Sequence, residues 1–480
     1  MSPNGQAYLV NPDAPEGATR FPQARLAPLS NHRTIYISGT ACCRPDGSWP
    51  GVTENPDRKH TLNIRKQTAA VLDNIDNIIK GATDGKGGIH NVIDAVVYIL
   101  DMESQYAGMN EEWNKVFETR DSAPARATIG VRELPDPRMI VEVKAVAVVT
   151  MSEPTSQHYQ INDFTFQDGT GPTSIQLAYL DINPTAEKVA LVITCFRGRL
   201  PVTLTFNHGA LKNHRIMVVA LFGNGESSSL SNMANFPQLP NYTDCVRAQH
   251  QLISSHLNIQ AIDVVVGFSM GGQCSYYWTL MYPELVRNAV IICSSARTSR
   301  HNYQFLEGPK AALEYAADYQ KGDSNTASSS KPLGGLRAFG KAYSAWLTSP
   351  EWFEKEMYKS LGYETLSDWD KEVAGTNYHN WHPDDLLTML GMWQRGDVTL
   401  ISGDASIQEA LSRIKARVLV MPCATDQYFR WEVSEKESRA IPRSTFKVIP
   451  SIWGHLAGLG GNAVDKEFMD QAIAEFLGGQ

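Results

Sequence analysis

The chain contains a short β-branched run, residues 261–272, that ends in a glycine-flanked serine. Buried parallel strands read as continuous apolar runs, and G-x-S-x-G straight after one is typical of the sharp strand-to-helix turn that exposes a nucleophilic serine. We therefore predict a strand up to Phe268, a turn at Ser269 and a helix after it. Gly and Ser also occur in ordinary turns, so the motif gains meaning only if an Asp and a His follow.

Bulk properties restrict the class of protein. The 480 residues exceed what one hydrophobic core usually supports, and 42% apolar with 20% charged residues is an ordinary globular composition. A net charge of −8 without a Lys/Arg-rich tract argues against a nucleic-acid partner. We therefore predict two or three domains and a small-molecule substrate.

Targeting and metal motifs are missing from the sequence. The polar, Pro/Gly-rich residues 1–17 lack a basic-then-apolar pattern, and no apolar run reaches membrane-spanning length. The 7 cysteines form no C-x-x-C pair, and no H-E-x-x-H occurs. We expect a cytoplasmic protein with reduced cysteines, no membrane partner, and no resident metal or other cofactor.

The first 150 residues mix strands and helices. Amphipathic helices are predicted over 63–80 and 104–119, and this mixture predicts a compact α+β domain. Arg126 lies at a loop-to-strand junction, where its guanidinium could hold a carboxylate with two hydrogen bonds. Glu142 interrupts an apolar strand. Each is also explained as an ordinary surface residue.

Several motifs of this domain together resemble the Rid family of imine and enamine deaminases: Ile37-Ser38-Gly39, Gln67-Thr68, Asp101-Met102, Pro124-Ala125-Arg126, and Leu134-Pro135 followed by Val141-Glu142. Over 61–68 and 134–137 the sequence is most similar to 2-aminomuconate deaminases. The resemblance implies a chorismate-mutase-like α+β fold and a homo-oligomer, a trimer or hexamer, with sites between subunits. There Arg126 would hold the substrate carboxylate, and Glu142 would help water attack an imine carbon. The alternative is a non-catalytic trimerisation or ligand-sensing scaffold.

Residues 151–160 are polar and show no periodicity, so we predict that they link a domain 1–150 to a domain 161–480. Beyond the linker, apolar runs recur with helical patterns between them. This alternation predicts a mostly parallel sheet with helices on both faces. The predicted strands are 189–196, 215–222, 262–268, 289–294, 417–423 and 445–449.

Two polar residues follow late strands of this predicted sheet. Asp426 comes after strand 417–423 and His455 after strand 445–449, where open α/β sheets place catalytic groups. The order Ser269, Asp426, His455 is that of an α/β-hydrolase triad. A serine hydroxyl needs a base to take its proton, so His455 would be that base and Asp426 would orient its ring.

The same chemistry needs hydrogen-bond donors for the negative charge that develops on the carbonyl oxygen. We expect one donor at the amide of Met270, directly after the predicted nucleophile. The second is expected in the loop 194–198 after the first long strand, at the amide of Phe196. The sequence thus predicts a Ser-His-Asp site with a two-amide oxyanion hole.

Further motifs resemble homoserine O-acetyltransferases and their relatives: residues 240–249, the serine turn with Gly272, residues 282–286 and 295–299, and Trp453-Gly454-His455. The resemblance implies ping-pong acyl transfer through an acyl-Ser269, under a helical lid over about residues 298–406. Homoserine-binding relatives carry Thr-Tyr-Arg-Ser in the lid, whereas this chain has Trp-Leu-Thr-Ser at 346–349. Because Thr348 cannot replace a bidentate cation, we expect an acceptor other than homoserine.

Together these patterns predict a two-domain enzyme. The α/β-hydrolase domain is expected to hydrolyse an ester, thioester or related acyl bond, and it is fused to a Rid-type imine or enamine deaminase module. In the alternative, the hydrolase domain moves an acyl group from acyl-CoA to a hydroxyl other than that of homoserine. The first domain is then a non-catalytic scaffold.

Overall fold

The computed structural model of the chain describes residues 6–8, 24–26, 32–57, 59–83, 85–150, 155–320 and 331–479. The chain divides into two compact units, residues 1–153 and 154–480. The division falls inside the predicted linker. Within the described ranges, no helix combines the length and apolarity that crossing a bilayer requires.

The first unit is a four-stranded sheet with two helices against one face. Its elements are β1 Gln6–Tyr8, β2 Ala24–Leu26, β3 His32–Thr40, β4 Val52–Glu54, β5 His60–Leu62, α1 Ile64–Ala82, β6 Val92–Ile99, α2 Met102–Val116, β7 Ala125–Gly130 and β8 Val141–Thr150. The sheet order is β3-β8-β6-β7, in which only β6 and β7 run parallel. β1 pairs with β2, and β4 with β5, as separate antiparallel ribbons.

Helices pack against one of the two faces of this sheet. α1 begins after Asn63, whose side chain accepts the amide of Lys66, and its apolar stripe packs on alternate residues of β6 and β8. Among the described residues of this unit, no helix covers the opposite face, where Tyr36 is 81% exposed and Ile129 44%. The uncovered face of this unit therefore carries exposed Tyr36 and Ile129 beside the charged side chains of Glu142 and Lys144.

The second unit is a doubly covered α/β sheet. Its strands are β9 Gln157–Phe164, β10 Thr173–Ile182, β11 Lys188–Ile193, β12 His214–Val219, β13 Ile262–Phe268, β14 Val286–Ile292, β15 Arg417–Met421 and β16 Ser444–Phe446. Its helices are α3 Tyr242–His250, α4 Met270–Met281, α5 Arg300–Glu314, α6 Leu333–Ser344, α7 Pro350–Glu354, α8 Leu366–Trp369, α9 Pro383–Gln394, α10 Ile407–Ser412, α11 Trp431–Ala440 and α12 Ala463–Gly478.

The strand order is β16-β15-β14-β13-β11-β12-β10-β9, parallel from β16 to β12 and antiparallel for β10 and β9. In β13, Val265 belongs to the core under one face, whereas Val264 and Val266 belong to the core under the other. Burial on both faces explains why this strand reads as an unbroken apolar run. The predicted fold class is confirmed, and the carboxyl ends of six strands meet at one edge.

The structure departs from the prediction at the linker. Residues 151–154 lie outside the described residues, but Gln157 to Gln160 belong to β9, so the predicted linker extends too far. β9 is an edge strand in which only Ile161 and Phe164 are buried. A polar segment can therefore pair through its backbone without showing an apolar pattern.

The stretch between β14 and β15 is mostly helical. It contains α5 to α10, and its residues 321–330 lie outside the described part. It corresponds to the predicted lid, residues 298–406. We refer to residues 298–406 as the helical segment; its action as a lid stays a prediction.

Candidate active site

Ser269 occupies a sharp turn between β13 and α4. Its φ of 56° and ψ of −122° lie in a region that non-glycine residues rarely adopt. The turn depends on close packing, because a Cβ at Gly267 would lie 2.1 Å from the carbonyl oxygen of Gly271. The Ser269 amide donates to the Ile292 carbonyl at 3.0 Å. The sequence therefore builds a rigid elbow that fixes Ser269 past the carboxyl end of β13.

His455 and Asp426 form a buried pair at the same edge of the sheet. His455 Nδ1 lies 2.7 Å from Asp426 Oδ2, and the other oxygen, Oδ1, accepts the amides of Tyr428 and Phe429 at 3.1 and 3.0 Å. An ionised carboxylate only accepts, so Nδ1 carries the proton and donates it. Nε2 of His455 is then left as a proton acceptor.

One cavity of about 300 Å³ brings the serine and the histidine together. Ser269 and His455 both line it, along with apolar side chains from the body of the unit and from the helical segment. The body contributes Phe196, Leu204 and Phe268, and the segment contributes Tyr343, Leu347 and Val373. A mainly apolar wall favours uncharged ligands and raises the strength of electrostatic contacts within the cavity.

Of the two predicted oxyanion residues, Phe196 lines this cavity and Met270 directly follows the lining residue Ser269. Phe196 lies in the turn 195–198, which we call the oxyanion loop, and Met270 is the first residue of α4. Within the described residues, neither amide has a hydrogen-bond acceptor. Unpaired, buried backbone donors are rare in folded proteins, so both amides are available to an anionic oxygen.

Cys195 also lines the cavity but is not suited to attack a substrate. Burial raises the pKa of its thiol to about 12. The thiol therefore stays protonated near neutral pH, whereas the thiolate is the nucleophilic form. Ser269 is the better nucleophile of the two residues.

Thr348 lies outside the cavity wall. It is buried, its carbonyl accepts from Gln427 Nε2 at 2.7 Å, and its hydroxyl has no partner within the described residues. The backbone around it packs against the loop that carries His455: Leu456 donates to the carbonyl of Leu347 at 3.1 Å, and a Cβ at Gly454 would lie 2.5 Å from the carbonyl carbon of Thr348. This position therefore supports the histidine loop and offers no cation to a ligand.

Arg197, directly after Phe196, binds the helical segment. Its Nη2 donates to the carbonyl and to Oδ1 of Asn377 at 3.0 and 2.7 Å, and the guanidinium lies 4.2 Å from the ring centre of Tyr378. These partners are 180 residues away in sequence. No local pattern signals such a contact.

Arg126 and Glu142 of the first unit are not brought together within one chain. Arg126 pairs with Ala95 of β6, whereas Glu142 pairs with Tyr98, and an odd spacing of three residues places them on opposite faces. Arg126 Nη2 donates to Asn110 Oδ1 at 2.6 Å. Burial lowers the pKa of Arg126 to about 10. The Glu142 carboxylate packs against the open backbone of Gly39.

Two family models match the chain. The model described as alpha/beta hydrolase fold matches residues 204–461, and the model described as Endoribonuclease L-PSP, the Rid family, matches residues 12–149. The chain belongs to the α/β-hydrolase family and carries a Rid domain ahead of the hydrolase domain. The predicted Rid and α/β-hydrolase domains are thereby confirmed, whereas the closer similarity to 2-aminomuconate deaminases stays a prediction.

Individual relatives narrow the class of reaction. The ethyl acetate hydrolase of Pseudomonas veronii is 36% identical over 267 residues, which are 55% of this chain and 76% of that protein. A homoserine O-acetyltransferase of Cyclobacterium marinum is 28% identical over 246 residues, 49% of this chain and 68% of that protein. The solved acetyl esterase MekB gives a TM-score of 0.64 at 31% identity, covering 68% of this chain and 97% of that one. The protein is an enzyme of acyl transfer or ester hydrolysis, as predicted.

Proposed function

We propose that the second unit hydrolyses esters through a covalent acyl-Ser269 intermediate. Ser269 Oγ attacks the ester carbonyl carbon while His455 Nε2 takes the hydroxyl proton. The carbonyl oxygen becomes an oxyanion between the amides of Phe196 and Met270, and His455 then gives its proton to the departing alcohol. Asp426 orients the ring and stabilises the imidazolium. Water, deprotonated by His455, releases the acid by the same steps.

The observation that carries this proposal is the shared cavity. It is lined by Ser269, held in the elbow, and by His455, whose Nδ1 is bonded to Asp426. The ester supplies the acyl group and the departing alcohol, Ser269 and water act as the two nucleophiles, and His455 moves the protons, so the proposed mechanism needs no resident cofactor.

The charges of the cavity lining favour one class of substrate. Of its described lining residues, Arg197 is the one Lys or Arg, and its guanidinium is bound to Asn377. An amino-acid acceptor such as homoserine carries a carboxylate that would lie unpaired in this wall. We therefore propose neutral esters of small acyl groups, in line with the names of the ethyl acetate hydrolase and the acetyl esterase.

The test uses Ser269→Ala with Ser275→Ala as the matched control, because Ser275 is a buried serine of α4 whose hydroxyl donates to a backbone carbonyl. Turnover of ethyl acetate should fall about 10⁴-fold or more in Ser269→Ala. It should be retained in Ser275→Ala. A folded Ser269→Ala enzyme with undiminished turnover would contradict the mechanism.

Intact-protein mass spectrometry then separates hydrolase from transferase. After incubation with an aryl acetate or with acetyl-CoA, the wild-type chain should gain one acyl group that Ser269→Ala does not gain. Decay of this adduct in water alone supports hydrolysis. An adduct that forms from acetyl-CoA and persists until an alcohol is added would instead support the acyl-CoA-dependent transferase.

For the first unit we propose a scaffold that assembles copies of the chain through its open sheet face. The exposed Tyr36 and Ile129 of that face support this role. Arg126 is bound to α2 and lies apart from Glu142 within one chain, so a deaminase site would need residues of a second copy of the chain. Deleting residues 1–150 should leave ester turnover per active site unchanged and lower the oligomeric mass. Ammonia release from 2-aminomuconate-like substrates, lost on Arg126→Ala, would instead favour the deaminase.

A further inference from the structure

The oxyanion loop contains a backbone conformation that its sequence does not favour. The amide of Gly198 donates to the carbonyl of Cys195 at 2.8 Å, which closes a tight turn with Phe196 and Arg197 at its centre. Arg197 has a φ of 59°. A positive φ at the third residue of such a turn is the preference of glycine or asparagine. An arginine held there indicates that side-chain contacts stabilise the turn.

Those contacts all go to the helical segment. Arg197 Nη2 donates both to the carbonyl and to Oδ1 of Asn377, and the planar guanidinium lies over the ring of Tyr378. The neighbouring Phe196 ring packs among three aromatic rings of the same segment at centroid distances of 5.8 to 6.3 Å: Phe339, Tyr343 and Trp393. The loop is thus held by residues that lie about 140 to 200 positions later in the chain.

The amide of Phe196 directly precedes the two anchored side chains, in the same turn. Its direction is set by the peptide between Cys195 and Phe196, which is part of the turn that Arg197 completes. Oxyanion stabilisation depends on donors that are already aimed before the reaction, because a donor that must first reorganise gives less stabilisation. A loose Arg197 would therefore leave the substrate bound but the oxyanion less well stabilised.

We propose that Arg197 is a positioning residue of the oxyanion hole, which fixes the Phe196 amide by tying the oxyanion loop to Asn377 and Tyr378. This inference rests on the proposed acyl-Ser269 mechanism. Arg197 acts through the backbone and forms no bond with the reacting atoms. Its planar fork can donate to Asn377 while lying flat on Tyr378, and the point charge of lysine cannot do both.

The experiment compares Arg197→Gln, Arg197→Lys and Arg197→Gly. The matched control is Arg247→Gln, because Arg247 also lies over an aromatic ring, that of Phe164, and donates to a backbone carbonyl at 3.0 Å, yet does not line the cavity. Measured are kcat and KM for an aryl acetate, the melting temperature, and the inhibition constant of phenylboronic acid, which forms a tetrahedral anion on an active serine.

For each Arg197 variant we expect kcat to fall about 10- to 100-fold with little change in KM, because removal of a whole oxyanion donor costs 10²- to 10³-fold and here a donor is only misaligned. The inhibition constant of the boronate should rise in parallel. Arg197→Gly is decisive, because it relieves the backbone conformation and still removes the tether. Arg247→Gln should change neither kcat, nor KM, nor the inhibition constant of the boronate.

Two results would overturn the proposal. One is an unchanged kcat with a raised KM, which would make Arg197 a substrate-binding residue. The other is Arg197→Gly with wild-type kcat and boronate affinity, which would make the tether irrelevant to the oxyanion. Failure of the underlying mechanism is recognised separately, because Ser269→Ala would then remain active.

Discussion

The sheet of the second unit carries a buried His–Asp pair at each end. At the carboxyl ends of the strands, His455 Nδ1 lies 2.7 Å from Asp426 Oδ2; at the amino ends, His214 Nε2 lies 2.9 Å from Asp263 Oδ2. All four side chains are almost completely buried. His455 of the first pair lines a cavity together with Ser269, a serine held in a strained turn.

Under the proposed mechanism the pair at the carboxyl ends is catalytic and the pair at the amino ends is structural, so the polarity of the strands distinguishes the two pairs better than residue type does. Carboxyl ends of parallel strands lead into loops that can differ freely, so polar groups from distant parts of the chain meet there. At the amino end, Asp263 is further fixed by the Asn288 side chain, which donates to its carbonyl at 2.8 Å. A His and an Asp in contact are therefore weak signs of catalysis until their end of the sheet is known.

The largest expected effect comes from comparing Asp426→Asn with Asp263→Asn. Asp426→Asn should lower kcat about 10⁴-fold while the protein stays folded, because an amide no longer selects the reactive tautomer of His455. Asp263→Asn should leave kcat unchanged and lower the melting temperature. Steady-state kinetics with thermal unfolding checks both. Equal losses of kcat in the two variants would contradict the assignment of one pair to catalysis and the other to stability.

The loss of melting temperature in Asp263→Asn should depend on pH. The hydrogen bond from His214 lowers the pKa of Asp263 below its ordinary 3.8. The stability that this ionised group contributes is therefore present above that value and is lost as pH falls through the lower, folded-state pKa. The gap in melting temperature between wild type and Asp263→Asn should narrow as the pH falls below about 4.

The second prediction tests whether the turn at Ser269 requires a glycine at position 267. Gly267→Ala should prevent correct folding or abolish activity, because its Cβ would meet a backbone atom of Gly271 that cannot move away. Gly81→Ala is the control: Gly81 is an exposed residue of α1 with nothing near its Cβ position. The control should gain about 0.5–1 kcal/mol of stability from helix propensity. Soluble yield, denaturant unfolding and ester turnover measure these outcomes.

The third prediction concerns the first unit. Tyr36→Lys, on the open sheet face, should lower the oligomeric mass seen by light scattering without changing ester turnover per active site. Tyr315→Lys is the matched variant, because Tyr315 is an 88% exposed tyrosine of the second unit. It should leave the mass unchanged. Loss of assembly in both variants, or in neither, would contradict the scaffold proposal.

The smallest effect concerns a buried carboxyl group that has no imidazole partner. Burial raises the pKa of Glu437 to about 8, although its Oε2 accepts the amide of Ala296 at 3.0 Å. The folded protein then holds a proton that the unfolded chain loses above about 4.5, so stability falls as pH rises from there to about 8. Glu437→Gln should flatten this slope and raise the melting temperature at pH 8 by a few degrees. An unchanged slope in thermal scans from pH 5 to 8 would contradict it.

The sequence predicts those parts whose pattern is local. The apolar run of β13, the order Ser269, Asp426, His455 and the position of two residues after strand ends depend on neighbours in sequence and on strand polarity. β9 could not be predicted this way, because its pairing is made by backbone groups and only two of its side chains are buried. The tether of Arg197 could not be predicted either, since its partners lie 180 residues away.

The first unit shows the same limit in another form. Arg126 and Glu142 are easily recognised as family motifs, and the family model confirms the domain. Whether the two side chains can act together depends on whether they lie on the same face of the sheet. Their faces follow from how β7 and β8 pair with β6, the strand between them. A motif can identify a fold while leaving open whether its polar residues meet within one chain.

The close packing of Gly454 on Thr348 has a consequence for how this enzyme could be redesigned or could diverge. The inner edge of the helical segment is in contact with the backbone beside His455, while much of its outer surface faces solvent. If the helical segment of a relative replaced this one, its residues at positions 347–349 would need to fit the loop that carries His455. The sequence of its exposed helices could differ. Divergence in substrate range is expected to accumulate along the cavity wall, around such fixed points.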